Sequence, residues 1–144
     1  MSDRAAPQHA LVVTRLLPAS PERVFAAWTT PAALCRWMSP YGEAEAEVDA
    51  RVGGRFRIVM KGPGREIEHT GEYRELDPPR RLAFTWRSEY TGPLPSLVTV
   101  DLRPVGDGTE MTLTHAQLPA DQVEPHRGGW GAIVQQLEEY LRAD

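Results

Sequence analysis

HRGGWGAIVQQLEEYL, from His126 to Leu141, is the stretch whose reading decides the fold. Trp130, Ile133, Val134, Leu137 and Leu141 recur at helical spacing, while Gln135, Gln136, Glu138, Glu139 and Arg142 take the other side. The segment predicts an amphipathic helix with one buried stripe. Its first half is nevertheless rich in glycine. An interior glycine costs about 1 kcal/mol relative to alanine, so Gly128, Gly129 and Gly131 together weaken the helix by roughly 3 kcal/mol. Gly129 and Gly131 flank Trp130, and the expected compensation is a close approach of the helix backbone to whatever the indole packs against. Carried back one turn, the stripe takes in His126 and Val123, with Pro125 tolerated near the start. Such a helix needs a broad apolar surface to lie on.

That surface is legible upstream. LVVTRLLP (Leu11 to Pro18) is β-branched and ends on proline, so it reads as a first strand. Two short helices follow: Ser20 before Pro21 and Thr30 before Pro31 are repeated start signals. Val24, Phe25 and Trp28 form one apolar face, and Leu34, Trp37 and Met38 the other. After SPYG the hydrophobic period changes to two. AEAEVDA, GGRFRIVMK, EIEHTGEYREL, RLAFTWRSEY, SLVTVDLRPV and GTEMTLTHAQL are six candidate strands separated by Gly- and Pro-bearing turns. Short loops between consecutive strands imply an antiparallel meander. The order of strand, two helices, six strands and one long helix belongs to the α+β class. Alternation puts Phe56, Ile58, Met60, Ile67, His69, Tyr73, Leu82, Phe84, Trp86, Val98, Val100, Leu102, Met111, Leu113 and His115 on the inner face. Arg55, Arg57, Glu68, Glu72, Arg87, Glu89, Asp101, Arg103 and Glu110 fall on the outer one. A curved sheet gripping a straight helix encloses space between them, and that space is the candidate site.

Composition narrows the class. With 144 residues, 41% hydrophobic and 25% charged, the chain reads as a single domain over residues 1–144, able to bury a continuous core, with a flexible N-terminus over residues 1–9. The net charge is −4 and the basic residues are scattered, so neither nucleic acid nor a membrane surface is an expected partner. A polar start and the lack of a long apolar run point to the cytoplasm. The lone Cys35 is compatible with a reducing compartment and reads as a small buried hydrophobe.

Several segments resemble a known family. SPERVFAAWTTPAALCRWMSPYG, GGRFRIVMKG, the Gly and Tyr of TGEYRELDPPRRLAFTW, GTEMTLTHAQLP and HRGGWGAIVQQLEEYL are similar to the bacterial homologues of the activator of the heat-shock protein 90 ATPase, within the START-like or helix-grip superfamily. The likeness runs from about Leu11 to Leu141, its late HxxGW signature stretched by one residue to HRGGW. It implies a helix-grip fold with a curved antiparallel sheet around a long C-terminal helix and a cavity between them. Superfamily members on this scaffold include lipid carriers, polyketide aromatases and plant carriers of hydrophobic ligands. The co-chaperone that gives the family its name carries an NxNxWHW motif, which these residues lack.

The expected cavity wall is Phe56, Ile58, Met60, His69, Tyr73, Phe84, Trp86, Val98, Val100, Met111, Leu113, His115, His126, Trp130, Ile133, Val134 and Leu137. Of the tryptophans, Trp86 and Trp130 are expected on it, with Trp28 and Trp37 in the core. Such a wall suits a small apolar molecule, lipid-like or aromatic, held by a carrier or sensor. Two alternatives stand beside it. One is an acid–base enzyme, a cyclase, dehydratase or hydrolase, using His69, His115 or His126 with Tyr73. The other is a module that acts on a chaperone or other protein. No nucleophile motif, carboxylate pair or HxH spacing is present, so no catalytic residue, cofactor or metal is assigned. Arg15 interrupts an apolar strand; an inward arginine could clamp a ligand carboxylate, but an ion pair with a sheet glutamate is the favoured expectation. Monomer and homodimer are both compatible with the pattern.

Overall fold

The computed structural model describes residues 9–143. The N-terminal segment read as flexible lies, except for His9, outside the described residues. The strands are β1 (Leu11–Leu17), β2 (Ala44–Val48), β3 (Arg55–Gly62), β4 (Arg65–Asp77), β5 (Arg81–Trp86), β6 (Ser96–Val105) and β7 (Gly108–Ala116). The helices are α1 (Pro21–Thr29), α2 (Pro31–Trp37) and α3 (Val123–Arg142). The strands form one antiparallel seven-stranded sheet in the order β1-β7-β6-β5-β4-β3-β2. The meander is therefore unbroken from β2 to β7, and β1 returns beside β7 because α1 and α2 carry the chain across.

Ser20 caps α1, its hydroxyl accepting from the Arg23 amide at 3.2 Å. Thr30 is extended but makes no side-chain cap, so Pro31 carries the start of α2. β5 stops at Trp86, short of the expected Tyr90. Ser88 and Thr91 close a side-chain-bonded turn there, with the Ser88 amide donating to Thr91 Oγ1 and the Tyr90 amide to Ser88 Oγ, each at 3.1 Å.

Curvature has a visible cause. The long β4 pairs with β3 over its first part and with β5 over its second, with a register shift between Tyr73 and Glu75. At Gly71 a Cβ would lie 2.0 Å from the Thr85 carbonyl oxygen and 2.4 Å from Phe56 Cζ, so only glycine fits the bend. Before β3, Gly53 has φ +85°, and a Cβ on Gly54 would meet the Asp49 carbonyl oxygen at 2.1 Å; turn geometry explains the GG pair.

Val24, Trp28, Leu34, Trp37 and Met38 from α1 and α2 join the concave sheet and the stripe of α3 in one apolar core. Trp37 Nε1 donates to the Ala27 carbonyl at 3.1 Å, tying α2 to α1. On β1, Arg15 pairs with Glu138 of α3 at 2.5 Å and bonds Gln135 at 3.3 Å. The expected sheet partner is corrected: at the sheet edge the long guanidinium arm reaches the polar flank of the helix. No helix among the described residues is long and apolar enough to cross a membrane.

Candidate functional site

The α3 helix meets the sheet differently along its length. Ile133, Val134, Leu137 and Leu141 are buried against it, whereas the first two turns stand over a cavity of about 350 Å³. Its wall is Pro40 after α2, Met60 of β3, Ile67 and His69 of β4, Trp86 at the end of β5, and Tyr90 in the turn that follows it. Gln122, Pro125, His126, Gly129, Trp130 and Ile133 close it from the start of α3. None of these side chains carries a fixed charge.

The glycines do not serve a close approach. A Cβ on Gly128, Gly129 or Gly131 would meet nothing within 4 Å. This overturns the sequence expectation: the missing side chains leave room rather than letting backbones touch. At Gly129, which lines the cavity, that room is part of the cavity itself.

Trp130 pins the weakened half down. Its Nε1 donates to His115 Nδ1 at 2.9 Å, and His115 Nε2 lies 2.7 Å from Ser96 Oγ, which donates to the Trp86 carbonyl at 2.8 Å. The chain of donors leaves one solution. Because Nδ1 accepts, the neutral ring carries its proton on Nε2 and donates to the serine. Protonation would set an N–H against the indole N–H, and burial with the nearby His126 and His69 pushes the His115 pKa down to about 3. His115 is thus a neutral structural link between α3, β6 and β7. It does not line the cavity.

Two histidines do line it. His69 is 6% exposed and its ring lies 4.6 Å from that of Trp86, tilted 33°. Burial pushes its pKa down to about 4, against the Ile67 and Ile58 carbonyls, and Nδ1 has no hydrogen-bond partner among the described residues. His126 is half-buried, with Nδ1 2.9 Å from the Gln122 carbonyl oxygen; burial lowers its pKa and that carbonyl opposes the shift. Its ring stands edge-on to His115 at 5.2 Å.

The remaining expected wall residues lie elsewhere. Phe56, Ile58, Tyr73 and Phe84 surround, with Trp28, Leu34, Met38 and Trp86, a crevice of only about 10 Å³. Ring packing closes it: Phe56 to Phe84 is 5.4 Å and Phe56 to Tyr73 5.5 Å. Trp28 Nε1, at this crevice, has no partner among the described residues. Val98, Val100, Met111, Leu113, Val134 and Leu137 are fully buried in the shared core. Tyr73 is no acid–base partner for the cavity histidines: burial pushes its phenol up to about 12, and it is absent from the cavity wall. Among the described residues, no group of His, Cys, Asp and Glu is arranged to hold a metal ion. Six wall residues were missed from the sequence: Ile67, read as inward-facing but not as bordering the space, and Pro40, Tyr90, Gln122, Pro125 and Gly129, which sit in turns and at a helix start, where no periodicity assigns a face.

Residues 18–142 match the family described as Activator of Hsp90 ATPase homolog 1-like protein. The chain belongs to this family. Solved structures similar to it include protein CV1439 from Chromobacterium violaceum, 30% identical with a TM-score of 0.82 over 94% of this chain and 99% of that one. Protein NE0264 from Nitrosomonas europaea is 27% identical, with a TM-score of 0.81 over 94% of this chain and 96% of that one. CalU16 from Micromonospora echinospora is 27% identical, with a TM-score of 0.73 over 92% of this chain and 75% of that one. No curated protein matches the chain. The Activator of Hsp90 ATPase homolog 1-like match and these likenesses agree with the helix-grip architecture: a curved sheet, a long C-terminal helix, and two short helices after the first strand.

Proposed function

We propose that the protein binds a small, uncharged, largely apolar molecule between the start of α3 and the sheet, as a carrier or sensor. The observation that carries this reading is the cavity of about 350 Å³, walled by Met60, Ile67, Trp86, Trp130 and Ile133 with no fixed charge. Its size falls at the lower end of small-molecule sites, about 300 to 1,000 Å³, and suits one flat or compact ligand. A carrier or sensor is favoured over an acid–base enzyme because His115 is locked in a neutral link and Tyr73 stands off the cavity. His69 and His126 remain there without a carboxylate to orient them. The weak first turns of α3 suit an entry that opens without disturbing the packed half of the helix.

The test is binding of a fluorescent hydrophobic probe, followed by quenching of Trp86 and Trp130. About one equivalent should bind, and Gly129→Leu, whose side chain enters open space, should abolish binding while the circular dichroism spectrum is kept. Unchanged affinity in that variant places the site elsewhere. Native mass spectrometry of freshly purified protein extends the test to a ligand carried from the cell.

A further inference from the structure

On the outer face of the sheet, away from the apolar cavity, lies a second hollow built from charge. This cleft, of about 520 Å³, sits where β4 passes from pairing with β3 to pairing with β5. Arg55 of β3, Arg74 of β4 and Arg87 just after β5 line it, with Thr70, Thr85 and Glu72 between them. Alternation gathers them there: Arg55, Thr70 and Arg87 are the outward neighbours of Phe56, His69 and Trp86, which point into the molecule. Thr70 and Arg87 exchange two backbone hydrogen bonds of 2.9 Å, which fix the floor of the cleft across β4 and the end of β5.

The cleft arginines differ from the others. Among the described residues, nine other arginines and Lys61 pair with a carboxylate. Arg55 and Arg74 make no hydrogen bond or ion pair among the described residues, and Arg87 gives one N–H to the Pro93 carbonyl at 3.3 Å. Glu72 stands opposite Arg55 in the strand register without forming an ion pair. One carboxylate against three guanidiniums leaves the lining with two positive charges in excess, in a chain whose formal net charge is −4. Like charges gathered in one hollow repel one another, and the hollow concentrates their field on whatever anion enters. Donors stand ready beside them. Thr85 Oγ1 accepts from the Glu72 amide at 2.9 Å, which leaves its own hydrogen to give, and the Thr70 hydroxyl has no partner among the described residues.

We propose that this cleft binds one small oxyanion of at least two negative charges, its phosphate or carboxylate oxygens held by the guanidinium forks of Arg55, Arg74 and Arg87. The charge follows from the excess on the lining, and the volume is that of a small-molecule site. A nucleic acid would need a longer basic track. Along the same strands Arg57, Arg65 and Arg81 are already neutralised by Glu68, by Glu89 and by Glu75 with Asp101.

Calorimetric titration of the full chain at about pH 7 and about 50 mM salt tests this with pyrophosphate, citrate and acetate. Pyrophosphate or citrate should bind at about one equivalent with Kd below about 1 mM, and acetate at least about tenfold more weakly. The tighter of the two tells a phosphate site from a carboxylate site. Arg74→Gln should weaken that anion about tenfold, and Arg55→Gln combined with Arg74→Gln should remove measurable binding. Both positions are exposed, so the circular dichroism spectrum should be kept. Glu72→Gln, which removes the opposing charge, should strengthen binding about threefold. Arg103→Gln, outside the cleft on β6, makes the same change in net charge as Arg74→Gln and should shift affinity by less than about twofold. Binding that survives the double replacement, or that falls as far in Arg103→Gln, overturns the proposal, as does equal binding of acetate or no binding of any of the three. A single-stranded oligonucleotide that binds more tightly than either multivalent anion, and is lost in the double variant, would overturn it in favour of a nucleic-acid surface. Probe affinity for the apolar cavity is read separately, so either site can fail without the other.

Discussion

The two halves of α3 share one backbone and differ in what lies beneath them. The carboxyl-terminal half buries Ile133, Val134, Leu137 and Leu141 on the sheet, and its outer side is held by the Arg15–Glu138 and Arg142–Glu138 pairs. In the amino-terminal half only Trp130 is buried; Pro125, Gly128, Gly129 and Gly131 carry little side chain, and no side-chain cap closes the first turn. One half is a clamp, and the other is a roof pinned at a single indole. The contrast shows how a helix of low propensity at one end stays in register. Packing of the far half and the Trp130–His115–Ser96 link together offset a glycine cost of roughly 3 kcal/mol.

Acid should separate roof from clamp most strongly, because His69, His115 and His126 all lie at the roof. His69 and His115 are held neutral with folded pKa values of about 4 and about 3, below an unfolded value near 6.5. Their stabilising contribution is complete above about pH 6.5. It is lost as pH falls toward the folded values, by about 1.4 kcal/mol per pH unit for each histidine. Urea midpoints between about pH 6.5 and 4.5 should show the summed slope, and His69→Gln should remove about half of it. A flat profile over that window would show that neither ring is buried neutral.

Next in size is the pin. Trp130→Ala should cost about 3 to 5 kcal/mol and also strand His115 Nδ1, while Trp130→Phe, which keeps a ring but not the donor, should cost about 1 to 3. Leu137→Ala in the clamp should cost about 2 to 5 kcal/mol, yet leave probe affinity within about threefold. If Leu137→Ala abolishes probe binding, the halves are not separate.

Gly129→Leu should act in the opposite sense. With no atom within 4 Å of its Cβ, it should stabilise the helix by about 0.5 kcal/mol while closing the cavity. A loss of stability there would mean that the roof is tighter than the geometry describes. The smallest effect belongs to Arg127→Ala. Its pair with Glu124 is 45% and 76% exposed on the outside of the roof, and the midpoint should stay within about 0.5 kcal/mol of the parent.

Strand parity was read correctly wherever the alternation is strict. Phe56, Ile58, Met60, Tyr73, Phe84, Trp86 and His115 are all buried on the inner face, because a pleated strand leaves a side chain only two choices. Facing inward did not say what a residue would meet. Met60, His69 and Trp86 border open space, while Phe56, Tyr73 and Phe84, on the same strands and the same face, meet α1, α2 and one another. Arg15 illustrates the same limit. Its charge demanded a partner, but whether a sheet glutamate or Glu138 lay nearer depended on where α3 crosses the edge.

The sequence by itself determined the order of elements, the inward face of each strand and the buried stripe of α3, since these follow from periods of two and 3.6 residues and from turn chemistry. Only the tertiary structure decided that the cavity lies under one half of the helix, that the glycines leave space instead of closing it, and that His115 is locked while His69 and His126 face the opening. Those outcomes depend on the angle at which a straight helix meets a bent sheet. That angle is set by contacts between Trp130, His115, Ser96 and the α1 and α2 aromatics, residues far apart along the chain, and no local period encodes it.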